Sequence, residues 1–187
     1  MATILDLKPL IELTSEDFYQ LCQINPDVSL ELSPYGELII MSPVGGETGN
    51  QEANLIADVT IWNRQTKLGL VFSCSTVFDL PNGGNRSPDV AWVKREKWEA
   101  LTPMQRQKFL PICPDFVIEL RSSSDRLKLL QDKMREYLDS GLKLGWLINP
   151  QDKTVEIYRP QQSVEIFNLP VSLSGEDVLP GFDLLIE

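Results

Sequence analysis

Histidine is absent from the 187 residues of this chain. This absence excludes Ser-His and Cys-His nucleophilic mechanisms, histidine-ligated metal sites and an imidazole general base. Any catalysis must therefore use carboxylates, Lys, Arg, Tyr, Ser or Cys. The first question for this sequence is which of these groups are placed unusually.

Cysteine is scarce, since only Cys22, Cys74 and Cys113 occur and no two of them form a Cys-x-x-Cys pair. An odd number of scattered cysteines is typical of thiols in a reducing cytoplasm rather than of a disulfide framework. The amino-terminal stretch lacks a basic segment followed by an apolar one, so it does not read as a signal peptide. No apolar run approaches the roughly 18 residues that a membrane helix needs. We therefore expect a cytoplasmic protein without a membrane span.

Positive charge is also in short supply. The chain has 17 Lys and Arg against 27 Asp and Glu, which leaves a formal net charge of −10. Such a protein repels nucleic acid at long range, so any nucleic-acid site must be a local basic pocket or a cleft that a metal ion occupies. The phosphate-binding patterns GxxxxGK[ST] and GxGxxG are absent, which excludes the common nucleotide-cofactor sites.

The remaining composition, 42% hydrophobic and 24% charged, is ordinary for a folded domain. Apolar periodicity predicts two long helices, over about 48–67 and about 125–140, ended by Gly69 and Gly141. Shorter elements are predicted as a capped helix from Thr14, a surface helical segment over 95–108, and strands over 28–32, 37–41, 70–73, 76–80, 89–93, 116–120, 144–148, 154–158 and 164–167. This order predicts one α/β (α+β) domain over residues 1–187. Its central mixed sheet would carry a long helix on each face.

Three residues are chemically conspicuous. Asp89 follows a proline and opens a strand, and Glu119 lies inside the apolar run 116–120. A carboxylate in such a run is unfavourable unless it is paired, protonated or bound to a cation. Lys133 lies on the apolar face of the second long helix, which folds back toward the strand that bears Glu119. Converging carboxylates with a nearby cationic group suit a hard divalent metal such as Mg²⁺ or Mn²⁺.

Two further carboxylates compete for a place in this site. Glu52 heads the apolar stripe of the first long helix, although a carboxylate there is also favoured by the helix dipole alone. Asp115 also follows a proline, but it lies in the same strand as Glu119 and about 13 Å away from it. Asp89 is therefore the favoured partner of Glu119.

Each candidate also has a purely structural interpretation. Glu119 can form a buried ion pair with Arg121 or Lys133, and Lys133 can extend along the edge of an amphipathic face to reach solvent. Gln131, on the same helix, is expected to face solvent.

Three segments of the sequence together resemble the Uma2 family, a bacterial family of candidate endonucleases long catalogued as a domain of unknown function. They are SPDVAWV at 87–93, PDFVIELRS at 114–122, and the stretch 133–150, which begins KMREYLDSG and ends GWLINP. GGETGN at 45–50 and LPNG at 80–83 match as well. The resemblance covers about residues 10–160, and the family is grouped with the PD-(D/E)xK nuclease superfamily.

The resemblance implies a restriction-endonuclease-like core, in which helices flank a four-stranded mixed sheet. It also implies Mg²⁺-dependent hydrolysis of phosphodiester bonds in DNA, with Mn²⁺ as a substitute. Carried over to this sequence, Asp89 and Glu119 are metal ligands, the backbone carbonyl of Leu120 is an additional ligand, and Glu52 is the acidic residue of the first helix.

The sequence departs from the superfamily pattern at one position, because Glu119-Leu120-Arg121 replaces Glu-x-Lys. Arginine is always protonated, so Arg121 can stabilise charge at the phosphate or anchor Glu119 but cannot act as a base. We expect Lys133 to take over the lysine role from the helix.

The sequence is compatible with three functions. A nuclease is expected to bind DNA weakly without metal and to act as a homodimer that presents two sites. The main alternative is a homodimeric binding or regulatory module with little turnover, which the acidic charge and the Glu-x-Arg sequence favour. A two-carboxylate glycosidase would need an aromatic-lined sugar groove.

Overall fold

The structure is a computed structural model that describes residues 2–8 and 10–187. Its helices are α1 (Ser15–Ile24), α2 (Gly46–Thr66), α3 (Arg95–Glu99), α4 (Pro103–Gln107) and α5 (Leu127–Asp139). Its strands are β1 (Thr3–Asp6), β2 (Leu30–Leu32), β3 (Glu37–Ile40), β4 (Gly69–Ser73), β5 (Phe78–Asp79), β6 (Asn85–Arg86), β7 (Val90–Lys94), β8 (Phe116–Leu120), β9 (Leu144–Asn149), β10 (Thr154–Tyr158), β11 (Glu165–Asn168), β12 (Val171–Ser174) and β13 (Asp183–Ile186). In the described part of the chain, no helix is both long and apolar enough to cross a membrane.

The main sheet has six strands in the order β11-β10-β9-β8-β7-β4, and α2 and α5 cover its opposite faces. β8 and β9 are parallel, whereas the other neighbours are antiparallel. Side chains alternate along β8, so Phe116 and Ile118 pack with α2 while Val117 packs with Met134 and Tyr137 of α5. Glu119 shares the parity of Val117 and therefore faces α5. The predicted mixed α/β architecture is confirmed.

A second sheet of five strands, in the order β1-β3-β2-β6-β5, lies beside the main one. Its hairpin β2–β3 was predicted, but its pairing with the short strands β5 and β6 was not. In β2, Leu30 and Leu32 pack against Phe18 of α1. Glu31 lies between these two leucines and points to the opposite face of the sheet. In β6, Arg86 likewise points to the face opposite that of Asn85. Two charged side chains of this sheet, Glu31 and Arg86, therefore point toward α5.

Two of the predicted helix boundaries are confirmed. Thr14 caps α1 in a capping box with Asp17, and Gly141 follows α5 with φ 108°. The predicted helical segment 95–108 divides into α3 and α4, and Pro103 is the first residue of α4.

The predicted end of α2, at about residue 67, is confirmed, but the role predicted for Gly69 in ending the helix is wrong. Lys67 is the residue with positive φ that ends the helix, and Gly69 is already the first residue of β4. Glycine is required there for space, because a Cβ atom would lie 2.3 Å from the Val93 carbonyl oxygen and 2.4 Å from the Trp92 ring. The glycine therefore reports close packing of β4 on β7 rather than a helix stop.

The substitution Gly69→Ala should lower the free energy of unfolding by about 1–3 kcal/mol, because the neighbouring backbone has to move. Gly46→Ala is the matched control, since a Cβ there meets nothing within 4 Å. It should change stability by less than about 1 kcal/mol. Chemical denaturation followed by tryptophan fluorescence measures both, and equal effects would contradict the packing account.

Candidate active site

Asp89 and Glu119 meet where β7 begins and β8 ends. The two strands are antiparallel with Val90 opposite Ile118, which places Asp89 and Glu119 next to each other at the same edge. The Leu120 backbone N–H donates a hydrogen bond to Asp89 Oδ2 at 2.7 Å. Asp89 is half-buried and Glu119 is buried. The backbone of β8 thus fixes the orientation of the aspartate.

Lys133 of α5 reaches the same place. Its Nζ lies 2.9 Å from Glu119 Oε1 and 2.8 Å from Glu31 Oε1, and it donates a hydrogen bond to the Ser87 carbonyl oxygen at 3.2 Å. Only 7% of the lysine side chain is exposed. The structure therefore brings Lys133 to Glu119, as the helix pattern predicted.

Tyr137 is a further member of the site that was not singled out in the sequence. Its hydroxyl donates a hydrogen bond to Glu119 Oε1 at 3.0 Å, and the Lys133 ammonium lies 5.9 Å from its ring centroid. Residues four apart share a helix face. The spacing of Lys133 and Tyr137 was therefore a usable signal, although an aromatic residue on an apolar face is more often simply part of the core.

Glu31 and Arg86 complete a buried charge network that the sequence did not reveal. Arg86 Nη1 lies 3.0 Å from Glu31 Oε2, and the Ser87 N–H donates to Glu31 Oε1 at 2.8 Å. Arg86 also binds both oxygens of Glu136 on α5, at 2.7 and 2.8 Å. The second sheet and α5 are therefore joined by charge-assisted hydrogen bonds in a water-poor interior.

Burial and mutual repulsion change the pKa values of the acidic groups in the site. Burial raises the pKa of Asp89 well above its ordinary value, and the negative charge of Glu119 adds to the increase. Burial also raises the pKa of Glu119, which the charge of Lys133 offsets only in part. For Glu31, burial opposes ionisation, but the charges of Lys133 and Arg86 prevail and lower its pKa.

The same network keeps Lys133 charged. Burial by itself disfavours an ammonium group, but the charges of Glu119 and Glu31 outweigh it and raise the pKa of Lys133 above its ordinary value. Lys133 is therefore a cation at neutral pH. It can donate hydrogen bonds and stabilise negative charge, but it does not accept a proton from water.

Glu52, on α2, faces the same edge. Its negative charge contributes, after burial and Glu119, to the raised pKa of Asp89. The thiol of Cys74 hydrogen-bonds to Glu52, and partial burial of the thiol together with this contact raises the pKa of Cys74 to about 12. The acid expected from the first long helix thus lies near Asp89, with a protonated thiol beside it.

The Arg121 side chain points away from the carboxylates of Asp89 and Glu119. Its guanidinium binds Asn149 Oδ1 at 3.1 Å, Asp152 Oδ2 at 3.0 Å and the Asp125 carbonyl oxygen at 3.3 Å. It holds the β9–β10 turn, and Glu119 is anchored by the lysine and tyrosine of α5 instead. The sequence order Glu-x-Arg therefore does not place the arginine against the glutamate.

Two other expectations concerned residues outside the site. Asp115 accepts a hydrogen bond from the Lys94 N–H at 2.8 Å and pairs with Lys97 at 3.1 Å, so it has a structural partner. The expected exposure of Gln131 is wrong, because it is half-buried and donates to Glu156 Oε1 at 2.7 Å.

The donor atoms at this edge are hard oxygens. Asp89 and Glu119 supply carboxylate oxygens. Leu120, the residue after Glu119 and the last of β8, supplies a backbone carbonyl oxygen. Within residues 2–8 and 10–187, no group of three or more His, Cys, Asp or Glu side chains is arranged to hold a metal ion. A site with few protein ligands suits Mg²⁺, which keeps several waters and is commonly bound by one or two carboxylates. The residues present therefore fit a hydrated divalent cation.

Comparison with known proteins identifies relatives of the chain. The family model Uma2, described as "Putative restriction endonuclease", matches residues 15–187. A crystal structure described as "a putative nuclease belonging to DUF820", from Anabaena variabilis ATCC 29413, is similar with a TM-score of 0.78 and 20% identity, over 92% of this chain and 94% of that chain. At this identity the likeness shows the fold alone. No curated protein matches the chain significantly.

The raised pKa of Asp89 predicts how Asp89→Asn changes stability with pH. A group whose folded pKa is raised stabilises the fold below its unfolded value and loses that contribution as pH rises through the folded pKa. Asparagine does not titrate and keeps an acceptor for the Leu120 N–H. In EDTA, the melting temperature of Asp89→Asn relative to wild type should therefore rise between about pH 4 and about pH 8, by about 2 °C or more.

The exposed Asp27 provides the control, since Asp27→Asn makes the same substitution at a surface position. Melting curves recorded across this pH range decide the matter. A constant difference between Asp89→Asn and wild type would mean that Asp89 ionises in the fold as easily as it does in the unfolded chain.

Proposed function

The chain belongs to the Uma2 family, and on that premise we propose that it is a metal-dependent endonuclease that hydrolyses phosphodiester bonds in DNA. The observation that carries the proposal is the 2.9 Å contact between Lys133 and Glu119, beside an aspartate that the β8 backbone orients. Two carboxylates and a lysine that is charged at neutral pH thus meet at one edge of a sheet. These are the groups that such a hydrolysis requires from a protein without histidine.

Asp89 and Glu119 would hold Mg²⁺ or Mn²⁺, with the Leu120 carbonyl as a further ligand. Glu52 would contribute from α2 through water, because among the described residues it does not form a direct three-carboxylate group with them. When bound, the ion supplies a Lewis acid and lowers the pKa of a water molecule. The charge balance supports such a site. The network formed by Glu31, Glu119, Glu136 and Asp89 contains four carboxylates but only two cationic groups, Arg86 and Lys133. A divalent cation offsets that excess of negative charge.

The side chains of this chain have separate tasks in the proposed reaction. Lys133 donates hydrogen bonds from a charged ammonium, so it orients the attacking water and stabilises negative charge on the phosphate. Tyr137 orients Glu119 through its hydroxyl. The Leu120 N–H holds Asp89 Oδ2, so Oδ1 would be the oxygen that binds the cation.

DNA binding by such an acidic chain should depend on the metal, because the formal charge of −10 repels phosphate. The exposed basic residues Arg126 and Lys128, at the start of α5, are the candidates for contacts with the DNA backbone. A homodimer would present two such sites and so cut both strands of a duplex. The solved relative is described as "a putative nuclease", which supports a nucleic-acid substrate.

The test is cleavage of supercoiled plasmid in millimolar Mg²⁺ or Mn²⁺, with EDTA as the blank. Asp89→Asn and Glu119→Gln should each slow cleavage by about 100-fold or more, because each loses the charge that holds the cation. Asp115→Asn is the matched control, since Asp115 also follows a proline but pairs with Lys97. It should keep activity within about threefold of wild type.

Two results would count against the proposal. Wild-type protein without metal-dependent cleavage of plasmid or single-stranded DNA would favour a binding module that uses the nuclease fold. Equal losses in the Asp89 and Asp115 variants would show that the assay reports folding rather than chemistry.

A second pair of variants compares the two basic side chains proposed for the site, Lys133 and Arg121. Lys133→Met should reduce cleavage by about 100-fold or more, because its ammonium lies at Glu119. Arg121→Ala should reduce it by less than about tenfold, because that guanidinium binds the β9–β10 turn. Circular dichroism of both variants checks that they are folded, and a larger loss for Arg121→Ala would restore the arginine to a catalytic role.

A further inference from the structure

The ammonium group of Lys133 has no free N–H. A lysine carries three donors, and three acceptors surround this one, namely Glu31 Oε1, Glu119 Oε1 and the Ser87 carbonyl oxygen. The side chain is almost completely buried. Lys133 therefore needs to give up one of these contacts before it can touch a phosphate oxygen or the attacking water.

The three acceptors are not equally able to release the lysine. Glu119 lies beside the half-buried Asp89, and its Oε1 is shared by Lys133 and Tyr137. Glu31 has both oxygens engaged away from that edge, Oε1 by Lys133 and the Ser87 N–H, and Oε2 by Arg86. The contact with Glu119 is thus the one that lies next to Asp89 and the proposed cation site.

Glu31 is also held rigidly from behind. Arg86 grips Glu31 with one nitrogen and binds Glu136 with two others. Glu136 lies three residues after Lys133 on α5, on a neighbouring part of the helix surface. The ring from Lys133 through Glu31, Arg86 and Glu136 back to α5 therefore locks β2 against the helix that bears the lysine.

We propose that Glu31 is a positioning residue that, together with the Ser87 carbonyl, holds Lys133 in place while the N–H now donated to Glu119 turns to the substrate. This inference rests on the proposed nuclease function and assigns a task in it to the second sheet. Without Glu31, the lysine side chain stays tied to Glu119 or moves off the reacting phosphate.

The hold on Lys133 can be observed without metal or DNA, through the ¹⁵N signals of lysine side-chain ammonium groups. Lys133 is the one buried lysine in the described part of the chain, so its protons should exchange slowly with water and give a sharp signal. Lys133→Arg assigns that signal by removing it. Glu31→Gln should broaden or remove it, because the charged acceptor is lost.

Glu156→Gln is the matched control. Glu156 is also a buried glutamate that accepts a hydrogen bond from α5, through Gln131, but it does not contact Lys133 in the structure. Its substitution should leave the Lys133 signal sharp. Glu31→Asp retains the charge but shortens the side chain, so it tests position separately from folding.

Plasmid cleavage supplies the second measurement. Glu31→Gln and Glu31→Asp should lower kcat by about tenfold or more with KM changed by less than about threefold, whereas Glu156→Gln should leave both within about threefold. A purely structural role for Glu31 would lower the folded fraction and leave kcat per folded molecule unchanged.

Three results overturn the inference. One is a sharp Lys133 signal in both Glu31 variants, another is an unchanged kcat in them, and the third is an equal loss in Glu156→Gln. If wild-type protein cuts no DNA, the proposed function fails and this inference fails as a statement about catalysis. The ammonium spectra still decide in that case whether Glu31 holds Lys133.

Discussion

The burial of one lysine between two glutamates is the constraint on which the site depends. Removing an ammonium and two carboxylates from water is costly, and close pairing has to offset that cost. Lys133, Glu31 and Glu119 come from α5, β2 and β8, so the contact forms only when the helix and both sheets are correctly packed. The geometry of the site therefore depends directly on how α5, β2 and β8 pack together.

The network leaves its acidic edge incompletely neutralised. Arg86 and Lys133 are each shared between two carboxylates. Asp89 accepts a hydrogen bond from the Leu120 N–H, and its pKa is raised. Repulsion between carboxylates of this kind disfavours the folded state as they ionise, and a cation relieves it. An acidic protein that acts on a polyanion needs the same cation for its substrate, so one ion would serve both requirements.

The sequence predicted the parts of this site that conflict with their local surroundings. Glu119 in an apolar strand and Lys133 on an apolar helix face were both conspicuous, and their contact followed from the return of α5 over β8. Glu31 was not conspicuous, because a single acid between two leucines is the ordinary pattern of a half-exposed strand. Only the packing of the second sheet shows that both of its faces are covered. Arg121 was misleading for a related reason, since nearness in sequence did not decide where a long side chain finds its partners.

If Asp89 and Glu119 form a cation site, isothermal titration with Mn²⁺ detects it without DNA or catalysis. Wild-type protein should bind the ion with measurable heat, and Asp89→Ala and Glu119→Ala should not. Wild-type protein that fails to bind at millimolar Mn²⁺, or alanine variants that bind as wild type does, would contradict the account.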